Sequence, residues 1–255
     1  MKKVICIFCN QEKEKAKEHI WPRWLQTRIG GSTKGTFAGT HAKLGVIPIS
    51  ERISSGENLV LGTVCKDCNN GWMERLESEF RLILDILLEN SEKITLNKKE
   101  SVIISRWAFK TACVINKGSN FHQIIPEEHF RYFYKHEKLP SNVIVEIGKL
   151  QNIEDESLAW RQGKIQLIIS PSSESMIYTN VAQKSYIISM QISSLLIRVA
   201  YWPMKISHFN KSEDDKKKIK RIWPATNKID FNKIIASDNL DSFSLSVHIV
   251  INKNS

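Results

Sequence analysis

The sequence predicts an α+β protein in two parts. A small cysteine-stapled module covers residues 1–92, and helices followed by a mostly antiparallel, β-rich C-terminal domain cover residues 93–255. Three observations carry this. Two Cys-x-x-Cys pairs, Cys6/Cys9 and Cys65/Cys68, fall in the first part of the chain. After Cys68 the apolar residues recur every three to four positions, the period of a helix face. Beyond Pro140 the chain turns to runs rich in β-branched and aromatic residues, the composition of sheet. A length of 255 residues suits one large domain or two ordinary ones.

The elements follow in order. A short strand and turn surround Cys6 to Cys9, and a charged segment, "NQEKEKAK", comes next. The Gly/Ser/Thr-rich "IGGSTKGTFAGTHAKLG" reads as a long loop or loose hairpin, with His41 in the loop as a weak candidate for a phosphate contact. "NLVLGTV" is strand-like. "WMERLESEFRLILDILLE" places Trp72, Leu76, Phe80, Ile83 and Leu87 on one helical face, which core packing explains by itself. "TLNKKESVIISRWAFKTACVI" predicts a second long helix opened by an Asn97/Glu100 capping box. "PEEHFRYFYKHE" predicts another, with Pro126 in its first turn. "NVIVEIG", "KIQLIIS", "KSYIISMQI", "LLIRVAYW" and "FSLSVHIVI" are the expected strands, and "NKSEDDKKKIKR" an exposed connector or short helix. Three Trp-Pro steps are too isolated to define a repeat.

Composition narrows the function. The chain is 42% hydrophobic and 25% charged, as globular proteins are. No apolar run approaches the roughly 20 residues of a membrane span, so no membrane role is expected. "MKKVICIFCN" is too short and too quickly polar for a signal peptide, and the expected location is the cytoplasm. The net charge of +10 is uneven. Residues 93–255 carry 24 lysines and arginines against 15 acids, while residues 51–92 carry four against nine. Such an excess fits either a solvated surface or an anionic partner such as nucleic acid.

In a reducing compartment, paired CxxC spacings point to metal before disulfide. Two knuckles bring sulfurs about 3.7 Å apart around one tetrahedral ion. Cys6, Cys9, Cys65 and Cys68 are therefore the expected ligands of a structural Zn²⁺. Redox use is the weaker reading, because neither pair sits in a thioredoxin-like strand-to-helix context. Cys113, within "WAFKTACVI", is expected to be a buried structural thiol.

The order CxxC, "EHIWP", "NLV", "CKDCNNGW" resembles the HNH (ββα-metal) endonuclease family, in its branch with two zinc-binding CxxC pairs around the catalytic motif. The resemblance covers residues 6 to about 80. "NNGWMERLE" is also similar to a group of bacterial proteins of unassigned role that share this core. The resemblance implies a zinc-stabilised ββα-metal module that hydrolyses phosphodiester bonds, in DNA before RNA, with phage defence or restriction-like cutting as the expected setting. It implies roles for single residues. His19 would activate a water, Glu18 would hold a catalytic Mg²⁺ or Mn²⁺, Asn58 would brace the loop between the two strands, and Asn69 would be the second ligand of that metal. Lys17, Arg23 and Arg28, with Lys13 and Lys15, flank the motif as candidate phosphate contacts. The gap from Pro22 to Asn58 is longer than in compact members, and Asn69 stands where many members have histidine.

The chemistry is coherent without the family. Phosphodiester hydrolysis needs a base that works near neutral pH, which suits histidine, and a cation near the scissile oxygens. A carboxylate and an amide oxygen suit a hard cation better than zinc. Adjacent strand residues face opposite ways, so the strand carrying Glu18 and His19 must end or bend, and Pro22 fits that break. Plainer roles stay open. His19 can be a surface histidine beside a zinc knuckle, Glu18 one acid in a charged run, Asn58 the start of a strand, and Asn69 the N-cap of the Trp72 helix. Trp21 and Trp24 suit packing better than base stacking. The alternative to an enzyme is a non-catalytic zinc module that binds nucleic acid or protein. In the nuclease reading the C-terminal domain is expected to bind substrate or a partner; a third reading is a structural scaffold whose C-terminal sheet mediates self-association.

Overall fold

The computed structural model describes residues 2–30, 36–43, 47–88, 94–118, 123–151, 158–165, 181–204, 209–210, 213–224, 228–245 and 248–249. Among them it is a mixed fold of helices and mainly antiparallel sheet. Strands β1 (Lys3–Ile5) and β2 (Glu12–Glu14) pair antiparallel around the first Cys-x-x-Cys turn. Asn10 closes that turn at φ 55°, a left-handed conformation that asparagine tolerates. β3 (Glu18–His19) ends in a bend, and Pro22 leads into α1 (Arg23–Gly30). β4 (Thr36–Lys43) and β5 (Ile47–Ser55) form an antiparallel hairpin, so His41 lies in a strand rather than a loop; residues 31–35 and 44–46 lie outside the described residues. A 3₁₀ turn, Gly56–Asn58, precedes β6 (Val60–Leu61), which returns beside β3 with Glu18 opposite Leu61 and His19 opposite Val60.

Next come a helical turn, α2 (Lys66–Cys68), a wide π-type turn, Asn69–Met73, and α3 (Glu74–Leu88). The predicted helical face is the buried one: Leu76, Phe80, Ile83 and Leu87 are in the core, with Leu84 beside them. β7 (Thr95–Leu96) then leads into α4 (Lys98–Gly118), opened by the expected reciprocal box. The Asn97 amide donates to Glu100 Oε2 at 2.7 Å, and the Glu100 amide to Asn97 Oδ1 at 3.0 Å. From Ile104 to Asn116 α4 is buried almost all round, apart from half-buried Arg106. It packs against α3 on one side and the sheet on the other, with Phe80 stacked on Trp107 at 3.8 Å. α5 (Glu127–His136) starts one residue after Pro126 and stops at Glu137, in the left-handed region at φ 52°.

The main sheet contains β8 (Val143–Leu150), β9 (Leu158–Gly163), β10 (Tyr186–Ile192) and β11 (Leu195–Tyr201). A short pair joins β12 (Phe209–Asn210) to a strand near the C-terminus. α6 (Glu213–Lys218) precedes β13 (Lys220–Trp223), and β14 (Ile229–Asp230) pairs with β7. β15 (Ala236–Ser237) runs parallel to β8, α7 (Leu240–Leu245) follows, and β16 (His248–Ile249) is the partner of β12. The main order is β13–β8–β11–β10–β9. Helix α4 covers one face and α7 the other, so β8 and β11 are buried on both faces and read as continuous apolar runs. Gly148 lets α7 approach, because a Cβ there would meet the Phe243 ring at 2.7 Å.

Two expectations change. "FSLSVHIVI" is not one strand: its first residues finish α7, because Asn239 Oδ1 accepts from the Ser242 amide at 2.7 Å and starts a helix there. In "KIQLIIS", residues 166–170 lie outside the described residues. The apolar core runs across residue 92, from Cys6, Phe8 and Trp21 through Phe80 and Trp107 to Ile188 and Val199.

Candidate functional site

The four cysteines of the two knuckles converge. Their sulfurs lie within 4.8 Å of one another, and Cys9 Sγ is 3.8 Å from Cys65 Sγ. A tetrahedral ion with bonds of about 2.3 Å needs sulfurs about 3.8 Å apart, so the set fits a zinc ion. Backbone holds the set together: the Cys6 amide bonds to Gln11 O, Lys15 bridges Cys65, and the Ala16 amide bonds to Val64 O at 2.8 Å. A hydrogen bond from Cys68 pulls the Cys6 thiol down to about 4, while that bond and burial push Cys68 up, and burial raises Cys65. Cys65 and Cys68 thus resist losing their protons unless a cation takes their place. Cys113 is fully buried away from them, as expected. Among the described residues, the cysteines are the one group of three or more His, Cys, Asp or Glu side chains whose ligating atoms converge.

Beside this cluster lies an open cleft of about 450 Å³, lined by Lys17, Glu18, His19, Pro22, Arg23, Trp24, Asn69, Asn70, Glu74 and Glu77. Four elements build it: β3, α1, the wide turn after Cys68, and α3, which adds Glu74 and Glu77. β3 ends after His19, so Glu18 turns inward and is 6% exposed while His19 is half-buried, yet both line the cleft. α1 brings Arg23, whose Nε donates to His19 Nε2 at 3.3 Å. With Nε2 accepting, a neutral ring has its proton on Nδ1. The wide turn after Cys68 brings Asn69 and Asn70, with Asn69 Nδ2 donating to Asn70 Oδ1 at 3.0 Å. Gly71 there has ψ −105°, outside helical geometry, and widened turns of this kind often mark functional sites.

Behind the lining, the buried Lys110 of α4 contacts two of its carboxylates, Glu18 Oε1 at 3.2 Å and Glu77 Oε1 at 2.6 Å. Trp24 Nε1 donates to Glu77 Oε2 at 3.3 Å. Burial opposes the charge on Lys110, but the facing Glu77 and Glu18 outweigh it and push its pKa up to about 12. Burial, partly offset by Lys110, raises the Glu18 carboxyl.

The expected site residues divide. Glu18, His19, Asn69, Lys17 and Arg23 share the cleft. Asn58 is exposed at the end of its 3₁₀ turn and is not among the lining residues. Arg28 is also outside the lining and pairs with Asp85 at 3.2 Å; Lys13 pairs with Asp67 at 2.7 Å. Trp21 is fully buried, whereas Trp24 lines the cleft. Asn69 is not an N-cap: the helical run starts at Lys66 behind Cys65, and Asn69 lies inside it. Glu77, Glu74, Asn70 and Lys110 went unnoticed in the sequence. The available signal was a lone lysine inside the apolar "WAFKTACVI", since lysine is almost never buried unpaired.

No protein-family model, curated protein or solved structure matches the chain.

Proposed function

We propose that the chain is a metal-dependent endonuclease of the HNH type that hydrolyses phosphodiester bonds, with DNA as the substrate. One observation carries the reading: Glu18 and His19, and Asn69 about 50 positions further on, line one cleft beside the Cys₄ cluster. In this reading the cysteines hold a structural Zn²⁺ that joins β1–β2 to the start of α2. His19 takes a proton from the attacking water through its unprotonated Nε2. Arg23, which lines the same cleft, loosens from His19 when substrate enters and binds phosphate with Lys17, whose side chain also lines the cleft. Glu18 and Asn69 are the oxygen donors at hand for Mg²⁺ or Mn²⁺, which would offset charge developing on the scissile phosphate.

A second reading is a zinc module that binds nucleic acid or protein without turnover. It is favoured by one fact: Lys110 already holds an oxygen of Glu18. Incubating the purified chain with supercoiled plasmid and with RNA, in Mg²⁺, in Mn²⁺ and without added metal, separates the two. The endonuclease reading expects metal-dependent nicking or linearisation of plasmid. Binding without cleavage in any metal supports the module.

A further inference from the structure

Two acids that line the cleft, Glu18 and Glu77, are held from behind by a residue beyond position 92. Lys110 sits in the middle of α4, and its side chain is wholly buried. Its single ammonium bonds Glu18 of β3 and Glu77 of α3, at 3.2 Å and 2.6 Å. On α4, Trp107, Phe109, Ala112, Cys113 and Val114 around Lys110 are buried apolar groups, and the adjacent Thr111 is a buried hydroxyl. An apolar residue would meet every packing need at such a position, and burying an ammonium there is tolerated only because it is paired. The lysine is therefore matched to the two carboxylates. Without it they would face each other at the edge of the core with no counter-charge, and like charges would spread or take up a proton. With it, Glu18 is anchored through Oε1, which leaves Oε2 as the oxygen that Glu18 can offer to the cleft. Glu77 is held from two sides, by Lys110 and by Trp24.

We propose that Lys110 is a positioning residue of the cleft: it fixes Glu18 and Glu77 together, so that the two carboxylates face the cation the cleft takes in one orientation. The site is then not contained in residues 1–92, because its organising cation arrives on α4. This rests on the endonuclease reading, and it adds to that reading a residue the motif does not contain.

The test is a Mn²⁺ titration of plasmid cleavage by the full chain, at equal zinc content. It compares wild type, Lys110→Met, Glu18→Gln and the double variant. Lys110→Met is expected to cut cleavage by about 100-fold, the effect of misplacing a reacting group by an ångström. It should also move the Mn²⁺ half-saturation by about tenfold, as loss of an outer partner of a ligand does. Because Lys110 acts through the carboxylates, adding Lys110→Met to Glu18→Gln should cost less than about threefold more; a purely structural role would multiply the two losses. If Lys110→Met does not fold, Lys110→Met with Glu77→Gln removes one charge of each sign and takes its place; that variant should fold, hold zinc and be inactive. Cleavage and half-saturation like wild type, fully multiplicative losses, or failure of both variants to fold would each overturn the proposal. Wild type that cleaves neither plasmid nor RNA overturns the endonuclease reading, and this inference with it.

Discussion

His129 shows how a single buried side chain becomes visible in solution. It sits on α5 with its Nδ1 2.9 Å from the Tyr186 hydroxyl and its ring edge-on to Tyr201 at 4.7 Å. Glu128 is the nearby charge, and its pull is too weak to offset desolvation, so the imidazole drops to about 4. An unfolded histidine takes up its proton near 6.5. Between those values the unfolded chain binds more protons than the folded one, so stability falls as pH drops from about 6.5 towards about 4, by on the order of 2–3 kcal/mol. Urea unfolding of wild type and His129→Gln across that range measures the effect as a difference. Glu18 is raised by its own burial and titrates in the opposite sense, but it is common to both chains and cancels. A slope that does not differ between the two would mean that His129 is not buried as described.

At the level of elements, the capping box and the cysteine cluster each make one prediction. Asn97→Ala removes an amide's partner at the start of α4 and should destabilise the chain by about 1 kcal/mol in chemical denaturation. Cys65→Ser should lower zinc from one ion per chain and unfold the first part of the protein, because β1, β2 and α2 are short and lean on the cluster. A well-folded variant, or a wild type without zinc by elemental analysis, would contradict this. These elements were legible in the sequence because their signals are local: a helical period, an Asn-x-x-Glu box, two CxxC turns and runs of β-branched residues. α7 was not, because Asn239 and Ser242 start a helix that runs into a stretch whose composition alone says strand. The candidate site was half legible. "EHIWP" and "CNNGW" mark Glu18, His19 and Asn69, but Lys110 lies 92 positions from its partner Glu18, and no local pattern ties a lysine in one helix to an acid in a distant strand.

Across the whole molecule, one continuous core joins the cysteine module to the sheet, and α4 serves both. The excess of lysine and arginine lies beyond residue 92, on the segment whose Lys110 also holds Glu18 and Glu77. If that charge tracks a phosphate backbone, DNA binding by the full chain should weaken steeply between about 50 and 200 mM salt as counterions are released; fluorescence anisotropy showing no salt dependence would remove nucleic acid as the partner. The central claim is that the cleft around Glu18 and His19 performs hydrolysis. The most direct measurement compares wild type with His19→Ala on supercoiled plasmid in Mg²⁺ and Mn²⁺, at matched zinc content and with DNA binding checked. His19 is not a zinc ligand, so the variant should stay folded, keep its zinc and bind DNA, while cleavage falls by about 10²–10⁴-fold, the usual contribution of a positioned general base. Equal cleavage by the two proteins would contradict the account and place the chemistry elsewhere.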